Sequence, residues 1–117
     1  MKVEACYAAF KGDYKDVMSR LPKEAMVIKF LRKFVTMEDY NKMLSAVESK
    51  DYATVFSTSH NLKGMAANLS MTAFFNSISA LCDCVRDSKA GDDFDSLLLQ
   101  AKADDEMTVK AISELED

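Results

Sequence analysis

Three glycines and one proline are all the backbone punctuation that this 117-residue chain carries. All-β sandwiches, collagen-like chains and low-complexity segments need such residues far more often, which leaves an all-helical fold. One domain accounts for the length, because domains cluster at about 100–150 residues; residues 1–117 are expected to form it. A chain of this size hides roughly two thirds of its unfolded surface, enough to fold without disulfide or metal staples.

Apolar spacing places the helices. Asp13 suits the cap of a short segment ending near Leu21-Pro22, and a second helix follows from Lys23 to about Val35. Met26, Val27, Phe30, Leu31 and Phe34 form its apolar stripe. Thr36 with Asp39 resembles a capping box for a helix carrying Tyr40, Met43, Leu44 and Val47. Asp51 is then the expected N-cap of a helix from Tyr52 to Leu69, and Ser70 that of the next, whose inward residues would be Phe74, Phe75, Ile78, Leu81, Cys82 and Val85. After a break at Gly91 and Asp92, a last helix begins near Phe94. It should fray or bend at Asp104-Asp105-Glu106. Amphipathic helices joined by short turns imply antiparallel neighbours, hence an up-and-down four-helix bundle with short N-terminal helices over one end.

Composition narrows the function classes. With 15 Lys and Arg against 19 Asp and Glu, the formal charge is −4, so no excess of cation is present to hold a nucleic-acid backbone. No stretch approaches the roughly 18 apolar residues of a membrane span, and the start lacks the apolar run of a signal peptide. A cytoplasmic protein with no membrane partner is the expectation. Cys6, Cys82 and Cys84 are odd in number, and the last two point to nearly opposite sides of a helix, so buried reduced thiols fit better than a disulfide or zinc site. No metal site is expected.

The helix from Tyr52 to Leu69 has two informative faces. Val55, Leu62, Ala66 and Leu69, flanked by Thr58 and Ser59, fall in one arc and form the core stripe. His60, the single histidine, lies opposite. Phe56 and Ser57 lie one turn behind it, Lys63 and Gly64 one turn ahead, and Ala67 two turns on. These residues suit an imidazole that exchanges a phosphoryl group with another protein. Neutral imidazole, with a reference pKa near 6.5, offers a nucleophilic lone pair at neutral pH without a separate base. Lys63 can approach phosphoryl oxygens and offset charge in a loose, in-line transition state. Gly64 costs about 1 kcal/mol of helix propensity relative to alanine, and the bare backbone would let a partner reach the ring. Each residue also has an ordinary reading: a surface histidine, a solvated lysine, a glycine that permits close helix packing, and a Phe56 covered by the N-terminal segment.

The run His60-Asn61-Leu62-Lys63-Gly64-Met65-Ala66-Ala67-Asn68-Leu69 resembles the histidine-containing phosphotransfer domains of two-component phosphorelays. Their pattern is H-x-x-K-G with a hydrophobic residue five positions after the glycine. The likeness extends over roughly Asp13 to Glu116. It implies a four-helix bundle whose exposed histidine accepts phosphate from the aspartate of one receiver domain and passes it to another. Carried over by position, His60 is the phosphorylated residue, Lys63 its electrostatic helper and Gly64 the clearance, with Phe56, Ser57, Asn61 and Ala67 as partner contacts. Response-regulator receiver domains and a hybrid sensor histidine kinase would be the partners, and Mg2+ would reside only in the receiver. The chain departs from the family twice. Ser70 stands where glycine is usual, and Cys82 stands where several relatives place a Gln or Glu that holds the imidazole.

Other chemistries lack their residues. Gly12, Gly64 and Gly91 are isolated, so no phosphate-cradling loop for ATP can be assembled, and the chain is expected to be a relay intermediate, not an enzyme, and to need no cofactor. A di-metal carboxylate bundle would want Glu three residues before His60, where Ser57 stands. A C-x-x-C-H haem attachment is missing. Two further alternatives are a helical adaptor that binds receivers without taking phosphate, and the phosphoacceptor domain of a larger hybrid or chemotaxis-type kinase.

Overall fold

A computed structural model describes residues 1–116. Among them the chain forms seven helices and no strand: α1 (Val3–Ala9), α2 (Tyr14–Arg20), α3 (Glu24–Thr36), α4 (Asp39–Glu48), α5 (Tyr52–Asn68), α6 (Thr72–Cys84) and α7 (Phe94–Ser113). No helix is long and apolar enough to cross a membrane.

Two of the starts follow from a single carboxylate each. The Asp13 side chain accepts the Asp16 N–H at 3.0 Å and begins α2. Asp51 accepts both the Thr54 N–H at 3.2 Å and the Thr54 hydroxyl at 2.6 Å, satisfying a donor that the first turn of α5 would otherwise leave unpaired. Those two bonds hold the Asp51 carboxyl below its usual range.

Two expected caps do not form. Thr36 is the last residue of α3 and donates its hydroxyl back to the Lys33 carbonyl, so α4 starts from Glu38 without a side-chain cap. Ser70 does not cap α6 either, since that helix starts one residue later, from Met71. Ser70 instead has φ 53°, and Lys11, Lys50 and Ser88 are likewise left-handed at 59°, 59° and 61°. Each closes a helix end or turn where glycine is the residue of least strain. That is how the chain manages its turns with so few glycines. Gly12 answers to crowding instead: a Cβ there would collide with the Phe10 ring and lie 2.8 Å from the Ser70 carbonyl oxygen.

α7 runs unbroken through the acidic triplet. The Gln100 amide bonds the Asp104 carboxylate one turn on, the Thr108 hydroxyl bonds the Asp104 carbonyl, and Glu106 faces water. Only Asp105 turns inward, at 6% exposure, and burial together with the neighbouring Glu106 pushes its carboxyl up to about 6. Burial disfavours the charged form, so the acid binds its proton more tightly than usual, and the helix continues through it at the cost of holding a charge inside near neutral pH.

α4 packs on α5, α5 on α6 and α6 on α7, while α3 meets α7 and α1 packs against α7, α2 and α3. The turn at Lys50 makes α4 and α5 antiparallel, and Asp39 and Asn61, each eleven residues from it, meet. One contiguous core includes Val27, Leu31, Phe34, Met43, Val55, Leu62, Phe74, Ile78 and Leu81. An edge-on pair of Phe34 and Phe74, 5.5 Å between ring centres, links α3 to α6. Tyr52 and Phe94 link α5 to α7 in the same way at 5.5 Å. On α3 the apolar stripe is narrower than its sequence suggests: Val27, Leu31 and Phe34 are buried, Phe30 is half-buried and Met26 is exposed. Of the inward residues expected on α6, Phe75 is only half-buried, and of the cysteines Cys6 and Cys82 are buried while Cys84 is not.

Candidate functional site

α5 divides cleanly into two arcs. Val55, Thr58, Ser59, Leu62 and Ala66 are buried. The polar members need no outside partner, because the Thr58 hydroxyl bonds the Thr54 carbonyl at 2.7 Å and the Ser59 hydroxyl bonds the Phe56 carbonyl at 3.1 Å. On the other arc His60, Asn61, Gly64 and Ala67 are exposed and Lys63 is half-buried.

The three residues assigned to chemistry therefore share a surface. His60 presents its ring to solvent, and Lys63 and Gly64 follow at the i+3 and i+4 positions, whose Cβ atoms lie about 5–6 Å from that of the first residue on any helix. No atom outside its own stretch of helix lies within 4 Å of where a Gly64 side chain would begin. Close helix packing thus gives no reason for a glycine here. The surface beside the imidazole is open there.

The expected partner contacts are less uniform. Ser57 is exposed, but its hydroxyl turns back to the Thr54 carbonyl at 3.1 Å. The Asn61 amide donates to the Asp39 carboxylate of α4 at 3.1 Å. Ala67 is exposed, yet its carbonyl is engaged at 3.1 Å by Arg20 of α2. Phe56 is half-buried against the core and stacks with His60, ring centres 6.0 Å apart and planes inclined by 23°. It is not covered by the N-terminal segment, since α1 reaches α5 at the far end, where the Tyr7 hydroxyl bonds the Leu69 carbonyl at 2.7 Å. The group over Phe56 is the Arg86 guanidinium, 5.9 Å from the ring centre, which is itself paired with Asp83.

The imidazole makes no side-chain hydrogen bond or ion pair among the described residues. Cys82 does not supply one. It is buried and its sulfur lies 3.9 Å from the Phe56 carbonyl oxygen, one turn back from the ring.

Beyond the site, the end of α5 is tied to α2. Arg20 donates to the Ala67 and Asn68 carbonyls at 3.1 and 3.0 Å, to the Ser70 hydroxyl, and to Asp16 at 2.8 Å. The Ser70 hydroxyl in turn donates to Asp16 at 2.6 Å. Asp16 is held below the usual carboxylate range by the Ser70 hydroxyl and by Arg20. A cation on the last carbonyls also suits the negative end of the helix dipole.

Sequence reasoning missed Arg86, Asp39 and Arg20. For the first two a signal existed in the hairpin register: Asp39 and Asn61 are equidistant from Lys50, and Phe56 and Arg86 are each fifteen residues from Met71. Arg20 has no such symmetry, because it arrives from a short helix whose direction no periodicity sets.

The chain matches no family model, no curated protein and no solved structure. What the site can do therefore follows from its geometry: an accessible nucleophilic nitrogen, a cation one turn away, and cleared surface between them and any partner.

Proposed function

We propose that this protein is a histidine-containing phosphotransfer protein that takes a phosphoryl group on His60 from a receiver-domain aspartate and delivers it to another receiver domain. The observation that carries this is the exposed imidazole flanked on one face by Lys63 and by the empty space over Gly64. In the reading, α4, α5, α6 and α7 are the four members of an up-and-down bundle, with α1, α2 and α3 against it. The successive packing of α4, α5, α6 and α7 supports that arrangement. The protein works in the cytoplasm, where receiver domains and a hybrid sensor histidine kinase are its partners, and it hydrolyses no ATP itself.

The transfer balances without a cofactor in this chain. The lone pair of one ring nitrogen attacks the phosphorus of the aspartyl phosphate, the new N–P bond forms as the P–O bond to the aspartyl oxygen breaks, and the carboxylate leaves with the bonding pair. The other nitrogen keeps its proton. Lys63 offsets charge on the equatorial oxygens of the moving group. Docking expels water from the exposed face and strengthens that attraction only while the partner is present.

The test is incubation with a phosphorylated receiver domain. The expected result is label on this protein that survives alkali and is lost in acid, as a phosphoramidate should be. Receiver binding without label would leave an adaptor in place of a relay, and label that persists in His60→Gln would move the site.

A further inference from the structure

We propose that Phe56, backed by Arg86, is the positioning residue of the site: its ring sets the plane of the His60 imidazole from which the lone pair is presented. This role rests on the phosphotransfer reading and adds to it the means by which the nucleophile is aimed.

An exposed imidazole on a helix turns about two side-chain bonds, and in-line attack tolerates little misalignment. Something must hold the plane. Among the described residues the ring has no side-chain hydrogen-bond partner, and the thiol of Cys82 is a poor one that in any case lies against the Phe56 carbonyl. The contact of defined geometry is Phe56, at 6.0 Å and 23°, inside the span of about 4.5–7 Å over which aromatic pairs attract.

Phe56 is itself fixed. Its side chain is half-buried against the core, so it is a platform and not a second loose ring. The Arg86 guanidinium sits 5.9 Å from its centre, within the reach of about 6 Å for a cation on an aromatic face. Arg86 is held in turn by Asp83, one turn earlier in sequence. A line of contacts thus runs from the C-terminal end of α6 through Phe56 on α5 to the imidazole.

Stacking also does what a hydrogen bond would not. An amide or carboxylate partner occupies one ring nitrogen and so selects a tautomer. A phenyl ring restrains the plane and leaves both nitrogens free, one for the proton and one for the phosphoryl group.

The experiment uses the full chain with Phe56→Leu, Phe56→Tyr and Arg86→Gln. Proton NMR of the unphosphorylated proteins reads the ring-current shift on the two carbon-bound His60 ring protons. The shift should be present in the wild type, lost in Phe56→Leu, kept in Phe56→Tyr and reduced in Arg86→Gln. Single-turnover transfer from a saturating phosphorylated receiver, where any change in affinity drops out, should slow about tenfold in Phe56→Leu. It should return to within about twofold of wild type in Phe56→Tyr and fall about twofold in Arg86→Gln, an exposed substitution that keeps the fold even if Phe56→Leu weakens it. Ring protons that ignore Phe56→Leu, or a rate that does, would overturn the proposal. A loss confined to receiver affinity would do so too, making Phe56 a docking contact only. A wild type that takes no label fails the phosphotransfer reading and this role with it, whereas a labelled wild type with unresponsive ring protons overturns the role alone.

Discussion

At its C-terminal end α5 is roped to α2 through Arg20, Asp16 and Ser70, with Tyr7 adding a bond to the Leu69 carbonyl. Two turns earlier, around His60, Lys63 and Gly64, the same helix offers side chains with no such ties and open space. The first region uses its polar groups to hold the molecule together. The second leaves His60 and Lys63 without side-chain ties, which the proposed function would use for a partner, and its ring contact is the stack of Phe56 on His60. If the proposed function holds, stability and reactivity are separated along one helix, and substitutions should separate them as well.

The sharpest cut is at His60. His60→Gln should abolish acid-labile labelling while the urea midpoint of the fold stays that of the wild type, because an exposed amide replaces an exposed imidazole. Any residual label at the wild-type rate would break the comparison at its reactive end.

The next effect is one of pH, and it lies outside both regions until it is removed. Asp105 binds its proton more tightly in the fold, at about 6, than at its ordinary 3.8, so stability falls as pH rises between about 4 and 6 and the full cost is present above 6. At roughly 1.4 kcal/mol per pH unit that cost is at most about 3 kcal/mol. Asp105→Asn should therefore stabilise the protein at pH 7 and match the wild type at pH 4 in urea unfolding. In that background the tied end of α5 shows its own titration. Asp16 is lowered in the fold, so its contribution is present above pH 4 and is lost as pH falls through the lowered value. Asp51 adds a limb of the same sign. Asp16→Asn should flatten the acid limb, and an unchanged limb would remove Asp16 from the account.

Arg20→Ala should cost about 2 kcal/mol in urea unfolding, the middle of the range for hydrogen bonds to a charged group, trimmed because the side chain is 42% exposed. Transfer at saturating receiver should change less than about twofold. Lys63→Ala should do the reverse, slowing single-turnover transfer about tenfold with stability nearly unchanged, and Lys63→Arg should keep a good part of the rate. A Lys63→Ala protein that unfolds early would show that the lysine stem belongs to the packing.

The smallest effect compares two left-handed residues. Lys50→Gly relieves backbone strain at φ 59° and removes an exposed side chain, so it should stabilise by about 0.5–1 kcal/mol. Ser70→Gly relieves similar strain but deletes the hydroxyl shared by Arg20 and Asp16, and its gain should vanish. Equal gains at both positions would mean that the hydroxyl contributes nothing.

The residues that could be read from the sequence were those governed by local rules. Asp13 and Asp51 are caps because a short carboxylate three residues before a free N–H suffices, and the core arc of α5 follows from 3.6-residue periodicity. His60, Lys63 and Gly64 share a face for the same reason. Legibility ended where a partner from elsewhere decided the outcome. Ser70 looked like a cap but is claimed by α2, and Thr36 closes the helix before it instead of opening the one after. The acidic triplet looked like a break because its three charges were counted together, whereas Gln100 and Thr108 engage Asp104, Glu106 faces water and only Asp105 turns inward. Phe56 was placed on the right face, but the guanidinium above it comes from the end of α6 and carries no local mark.

The two ends of α5 also set a clock. His60 lies nine residues from the Asp51 cap and nine from Leu69, midway between one end closed by a carboxylate and another closed by a cation. Helices open from their ends, so amide hydrogens near the middle exchange only when the whole helix lets go. The backbone under the imidazole should accordingly be among the slowest-exchanging stretches of the chain even though the side chain above it is exposed to solvent. On the phosphotransfer reading, a receiver arriving at any instant would meet a helix already formed under the histidine, so the wait for a competent encounter would be set by diffusion and docking and not by the helix assembling itself.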